Sequence, residues 1–203
     1  MHGTYPSTED FIMRIGLTGS HRCGKTTLMH AFSAASGLPT APSTVSQIAA
    51  RAGYDMSQSR MTAAGLDFQD TVLDTMAVDY ALPAFVSDRT PLDAAAYTMC
   101  DAVAGTGDLD DRILAYRDRA LRLTASLFDV IVLVQPGIPV VSAPGKPPLG
   151  AAYQEHFNYV AYSLAAIDAP TRFGVIPRFI LSIEDRVNSV GRLAYGHSSY
   201  GGR

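Results

Sequence analysis

Two cysteines, Cys23 and Cys100, are all that the 203-residue chain has, and their spacing frames no metal site. So few thiols fit a reducing compartment better than a disulfide scaffold. No apolar run approaches the length of a membrane span, and the polar opening "MHGTYPSTED" lacks the apolar core of a signal peptide. A cytoplasmic location is therefore expected. Positive charge is not in excess: 16 Lys and Arg stand against 19 Asp and Glu, a net charge of −3. That argues against a protein that coats nucleic acid, while leaving room for a local basic groove. There is no histidine cluster of metal-binding spacing, no internal repeat and no linker that would split the chain.

What is present is concentrated first in "RIGLTGSHRCGKTTLMHAF", residues 14–32. Gly19 through Thr26 fit G-x-x-x-x-G-K-[ST], a loop whose successive backbone N–H groups face phosphate oxygens and whose following helix adds the positive end of its dipole. Ile12, Ile15 and Leu17 make an apolar strand before it, and Leu28, Met29 and Phe32 give helical spacing after it. Gly19, Ser20, His21, Arg22, Cys23, Gly24, Lys25, Thr26 and Thr27 are thus the candidate nucleotide-phosphate site. Lys25 is placed to reach the β- and γ-phosphates, Thr26 to ligate Mg²⁺, and His21 and Arg22 to shape the loop or touch phosphate. Cys23 makes the same loop a target for thiol reagents.

Strands and helices alternate along the rest of the chain, which predicts an α/β fold with a mostly parallel sheet of about five strands and helices on both faces. Short strands are expected near 38–40, at 84–88 and in "TRFGVIP", and the clearest buried strand is "LFDVIVLVQ". Helices are expected at 45–52, 61–80, 109–126, 151–167 and 182–194, with another beginning near Pro91. One domain over 11–195 follows, with flexible ends at 1–10 and 196–203.

The second informative stretch is "FVSDRTPLDAAAY", residues 85–97. Asp88 and Arg89 fall at the carboxyl end of a strand, where open α/β sheets gather their ligands. A carboxylate there can hold Mg²⁺ or accept a hydroxyl proton, and an arginine beside it can neutralise a moving phosphoryl group. The structural alternative is that Asp88 or Thr90 simply caps the following helix. Asp93 has a weaker functional case, because an acid in a first helical turn suits the dipole in any event.

"GLTGSHRCGKTTL" followed by "SDRTPLDAAAY" resembles the P-loop small-molecule kinases related to deoxynucleoside and nicotinamide-riboside kinases. Within that group it is similar to phage-encoded kinases, including the 5-hydroxymethyluracil DNA kinases of thymidine-hypermodifying phages. The likeness covers about residues 12–100 well. It implies a P-loop NTPase fold, ATP and Mg²⁺ as cofactors, and Asp88 and Arg89 as the match to an Asp/Glu-Arg-Ser/Thr element. It also implies that Gln69, in "LDFQD", reads a nucleobase edge, and that an arginine-rich segment serves as a lid. Candidates for that lid are the helix carrying Arg112, Arg117, Arg119 and Arg122, or the loop around Lys146. Asp111 and Asp118 on that helix offer the plainer reading of a solvated, charge-laced face. The chain departs from the family in one respect. Those kinases place a carboxylate at the end of the second strand, whereas "LPTAPST" has none, so Asp88 must serve as metal ligand and base together or Asp67 must contribute.

The expected activity is phosphoryl transfer from ATP, with Lys25, Thr26, Asp88 and Arg89 as the working set and Gln69, Asp67 and Arg119 toward the acceptor. The most specific acceptor is the 5-hydroxymethyl group of a modified pyrimidine in phage DNA, in which case the location is host cytoplasm. A free nucleoside or nucleotide is the alternative. A guanine-specific switch would need N-K-x-D and D-x-x-G elements, both missing. An AAA-type motor would need a longer chain with a separate helical lid domain. A module that binds ATP only for structural order is the remaining rival.

Overall fold

The computed structural model describes residues 13–41, 45–56, 59–102, 107–139, 150–169 and 171–196. The expected flexible ends and the Lys146 loop lie outside these residues, Gly196 apart. Four strands, β1 (Arg14–Thr18), β2 (Phe85–Ser87), β3 (Val130–Val134) and β4 (Arg172–Ile176), form one sheet in the order β2-β1-β3-β4. Every pairing is parallel, with Gly16 opposite both Ser87 and Ile131. The helices are α1 (Lys25–Ser36), α2 (Val45–Ala52), α3 (Ala63–Asp79), α4 (Pro91–Asp101), α5 (Asp110–Leu127), α6 (Ala151–Ser163) and α7 (Ile183–Tyr195).

Strand alternation assigns these helices to two layers. Val130, Val132 and Val134 join Leu28, Phe32 and Val190 in a cluster under α1 and α7. Leu133 faces Leu92, Ala120 and Phe157 on α4, α5 and α6, and Ile131 faces Val72 and Met76 on α3. Side chains two apart share a face, so an unbroken "VIVLV" run is what a strand covered on both sides requires. Gly16 in the middle of β1 serves a close approach. A Cβ there would stand 2.6 Å from Thr90 Cγ2 and 2.7 Å from Ile131 Cδ1. The start of α4 can therefore press against β1.

The expected fifth strand near 38–40 is reduced to a single parallel bridge between Thr40 and Val86. Val86 N–H donates to the Pro39 carbonyl and Ala41 N–H to the Val86 carbonyl. Extending the ladder toward residue 38 would need the N–H that Pro39 lacks. The helix expected at 151–167 also divides: α6 stops at Ser163, and Leu164–Asp168 widens into a π-helical turn closed by Ala169 N–H on the Leu164 carbonyl. At the lower edge of the sheet, Arg14 and Asp129 clamp β1 to β3. The guanidinium meets the carboxylate at 2.8 Å, and each backbone N–H is bonded to the other residue.

Candidate functional site

The chain leaves β1 through residues 19–24 and enters α1 at Lys25. Three residues of this loop have positive φ: Gly19 at 148°, Arg22 at 64° and Gly24 at 89°. Gly19 has no room for a side chain, since a Cβ would stand 2.6 Å from the Val134 carbonyl oxygen. Gly24 is the left-handed N-cap of α1, and no side chain caps that helix. Lys25 is buried, with Nζ donating to the carbonyls of Gly19 at 2.5 Å and Ser20 at 2.9 Å. The buried Ser20 hydroxyl has no hydrogen-bond partner among the described residues. These are the features of a loop built around an anion, with its lysine resting on loop carbonyls.

Cys23 contradicts the expectation of an open thiol. It is 1% exposed and packs in the cluster beneath α1 and α7, because the turn at Arg22 and Gly24 directs it inward. His21 is exposed; its ring stacks on Tyr97 with centroids 4.7 Å apart, and its carbonyl accepts from Gln154 Nε2 at 2.9 Å. Arg22 is half-buried, and Thr26 and Thr27 are exposed on the first turn of α1.

β2 delivers the second half of the site alongside. Thr26 Oγ1 donates to Asp88 Oδ2, so the two expected metal ligands meet directly. Asp88 is not the helix cap. That position belongs to Thr90, whose hydroxyl accepts from Asp93 N–H at 3.0 Å while Thr90 N–H donates to Asp93 Oδ2 at 3.1 Å, a reciprocal capping box. The hydroxyls of Ser87 and Tyr80 lie 2.9 Å from the Arg89 carbonyl and hold the turn between them. Arg89 Nη2 lies 3.4 Å from His21 Nδ1. Burial works against the Arg89 charge, but Asp93, Tyr97 and Asp88 together outweigh it and raise its pKa above the ordinary arginine value. The guanidinium thus stays a cation although it is largely withdrawn from water.

Asp93 does more than suit a helix dipole. It is 2% exposed, and its second oxygen, Oδ1, accepts from Thr18 Oγ1 at 2.7 Å and from Gly19 N–H at 3.1 Å. One carboxylate therefore joins the end of β1, the first loop residue and the start of α4. Its signal was legible as Thr-x-x-Asp ahead of an apolar run, the sequence form of a capping box. Tyr97, Gln154 and Arg186 touch the loop without any comparable signal. Tyr97 is buried beside Arg89, and burial followed by Asp93 pushes its phenol well above the ordinary tyrosine range. Arg186 on α7 donates from Nη1 to the Cys23 carbonyl at 3.0 Å and from Nε to the Ile180 carbonyl at 2.8 Å.

The acceptor-side candidates lie on α3 and α5. Gln69 is buried, with Oε1 accepting from Tyr116 Oη at 3.4 Å. Burial pushes the Tyr116 phenol up, so it remains a donor. Asp67 pairs with Arg112, and Arg119 pairs with Asp70 at 2.7 Å and also with Asp74. Arg117 meets Asp118, its neighbour in sequence, at 2.7 Å. Among the described residues, no hydrogen bond or ion pair joins Asp67, Gln69 or Arg119 to the phosphate loop. The α5 arginines at 112 and 119 are instead rungs between two helices, with partners more than forty residues away.

Among solved structures, three of deoxyadenosine kinase from M. mycoides share this fold. The one with the products dCMP and a flexible dCDP bound and the one with dCTP bound are each 18% identical with a TM-score of 0.62, covering 89% of this chain and 97% of theirs. The one with dATP bound is 17% identical with a TM-score of 0.60, covering 89% and 98%. No curated protein matches the chain. A family model described as AAA domain matches residues 14–130, from the first residue of β1 to the first residue of β3. With the phosphate loop, the Asp88 strand and helices α1 to α5 inside that match, the chain belongs to this AAA domain family.

Proposed function

We propose that the chain is a kinase that transfers the γ-phosphoryl group of ATP to a hydroxyl of a free nucleoside or nucleotide. The observation that carries this is the meeting of Thr26 with Asp88 beside Arg89, at the mouth of a loop whose lysine is buried against its carbonyls. The residues fit the groups required. Two hard oxygen ligands, Thr26 Oγ1 and a carboxylate, suit Mg²⁺, which takes its other ligands from phosphates and water. Bound there, Mg²⁺ would neutralise phosphate charge. Among the described residues no three His, Cys, Asp or Glu side chains form a metal cage of their own.

The chain's own groups divide the work. The loop amides and Lys25 hold the β- and γ-phosphates, and Arg89, kept charged, faces the group in motion. Asp88 takes the proton of the attacking hydroxyl as its oxygen bonds to the γ-phosphorus and the bond to the β-phosphate oxygen breaks, releasing ADP. Gln69, already oriented by Tyr116, offers its amide to a base edge.

A free acceptor is favoured over a base within DNA. Arg112 and Arg119, two of the cations that could follow a nucleic-acid backbone, are occupied by Asp67, Asp70 and Asp74. Similarity in fold to a deoxyadenosine kinase supports the same choice. No helix among the described residues is long and apolar enough to cross a membrane. The test is transfer of labelled γ-phosphate to a panel of free nucleosides, nucleotides and hydroxymethylated DNA. Label should enter a free nucleoside or nucleotide. Label in DNA alone would reverse the choice of acceptor, and phosphate release independent of every acceptor would refute the kinase.

A further inference from the structure

Arg186 is an unusual cation for its position. It is 3% exposed, and among the described residues it forms no ion pair and its Nη2 has no hydrogen-bond partner. The acids beside it on α7 do not compensate it; Asp185 is turned to the Ser182 cap, whose hydroxyl donates to it at 2.6 Å. A buried charge without a counter-charge is costly, so some other event must draw on it.

Its contacts indicate which event. Nε binds the Ile180 carbonyl and anchors the side chain to the turn before α7, leaving Nη1 on the Cys23 carbonyl. The peptide between Cys23 and Gly24 is trans, as all described peptides are, and a trans peptide points its C=O and N–H to opposite sides. Holding the Cys23 carbonyl toward α7 therefore turns the Gly24 N–H the other way, toward the hollow of the loop. The same guanidinium lies against Gly24 itself: a Cβ there would be 3.3 Å from Arg186 Nη1. A residue with a side chain at this position would displace it.

We propose that Arg186 is a positioning residue for the phosphate loop, aligning the Gly24 amide through the Cys23 carbonyl and supplying from behind a positive charge that is neutralised only when a polyphosphate occupies the loop. This rests on the loop being a nucleotide-phosphate site. Two consequences follow. Affinity for polyphosphate should depend on α7, which among the described residues makes no hydrogen bond or ion pair to an acceptor candidate, and the bound anion should stabilise the fold more when Arg186 is present.

The experiment measures equilibrium binding of MgATP and of inorganic tripolyphosphate, with melting temperature at each ligand concentration, for the wild type, Arg186→Met, Arg186→Lys and Lys25→Ala. For Arg186→Met, both ligands should bind about tenfold more weakly or worse, as expected on losing a charged hydrogen bond. Its ligand-induced rise in melting temperature should shrink, and the KM of the acceptor should stay within about twofold. Arg186→Lys keeps the charge but not the fork that spans two carbonyls, and should lie between the two. Should Arg186→Met not fold, Arg186→Lys decides: wild-type affinity for both ligands would overturn the proposal. A folded Arg186→Met with unchanged affinity, alongside a Lys25→Ala protein that has lost it, would overturn the role of Arg186 and leave the loop assignment intact. A wild type that binds neither ligand would remove both.

Discussion

Replacing Asp93 by asparagine preserves nearly the same shape, yet it exchanges one acceptor oxygen for a donor NH₂. In the native site Asp93 Oδ1 receives Thr18 Oγ1 and Gly19 N–H, and Oδ2 receives Thr90 N–H and Thr90 Oγ1. The two hydroxyls can turn to suit an amide. The two backbone N–H groups cannot, and they point at different oxygens. Whichever way the new side-chain amide faces, one backbone donor meets another donor in a site that is 2% exposed. Leaving one buried donor unsatisfied, with charge-assisted bonds weakened to neutral ones, costs about 2–3 kcal/mol. For a chain of this length, each 1 kcal/mol moves the melting temperature by about 2–4 °C, so Asp93→Asn should melt about 4–12 °C lower. Circular dichroism melting would measure this, with MgATP binding followed in parallel, because the amide set adrift at Gly19 or the loosened α4 start borders the phosphate loop. A variant that melts within about 2 °C of the wild type would refute the bridging role of the carboxylate.

Asp88→Asn should behave in the opposite way, holding its melting temperature within about 2 °C, because Thr90 rather than Asp88 caps α4, while losing most acceptor-dependent turnover; intact turnover would remove Asp88 from the chemistry. Lys25→Ala should lower turnover by at least about a hundredfold, the loss of one preorganised charge stabiliser, and a folded variant with near-normal rate in a γ-phosphate transfer assay would end the loop assignment. Burial and then Asp101 push the Cys100 thiol from its ordinary 9.0 up to about 11, so in the native chain the thiolate is the minor form below that value. Its alkylation at pH 8 should run about a hundredfold slower than in the urea-unfolded chain and climb about tenfold per pH unit toward pH 11. Equal rates in the two states, followed by mass spectrometry, would contradict its burial.

How much of this was legible depended on whether the determinant was local. The loop from Gly19 to Thr26 was readable because glycine stands at Gly19 and Gly24, where φ is positive, and "VIVLV" because a central strand covered on both faces favours an unbroken apolar run. Helices α2, α3, α5 and α7 fell within a residue or two of expectation for the same reason. Pro39 was equally visible, but its effect on the fifth strand requires knowing that Thr40 lies opposite Val86. Arg112 and Arg119 show the limit most clearly. Acids at 111 and 118 sit beside them in sequence, whereas the partners chosen by the fold are Asp67, Asp70 and Asp74 on a different helix. Arg186, in "SIEDRV", resembles any charged position on an amphipathic helix until α7 is laid against the loop.

The place of β1 in the sheet also shapes how the molecule must be made. β1 precedes both of its neighbours in the chain yet lies between them, so both of its edges stay open until Phe85–Ser87 and then Val130–Val134 have been synthesised. At about 5–20 residues per second the wait lasts several seconds for the first edge and longer for the second. Throughout it, the ribosome-bound chain carries an apolar strand with unpaired N–H and C=O groups, the kind of template on which nascent chains aggregate. Nucleotide cannot shorten that interval, because Asp88 and Asp93 arrive with or after β2 and the Val134 carbonyl that crowds Gly19 arrives only with β3. A release series of stalled nascent chains should therefore gain protease resistance in one late step, after Val134 has cleared the exit tunnel, with ATP protecting no shorter chain.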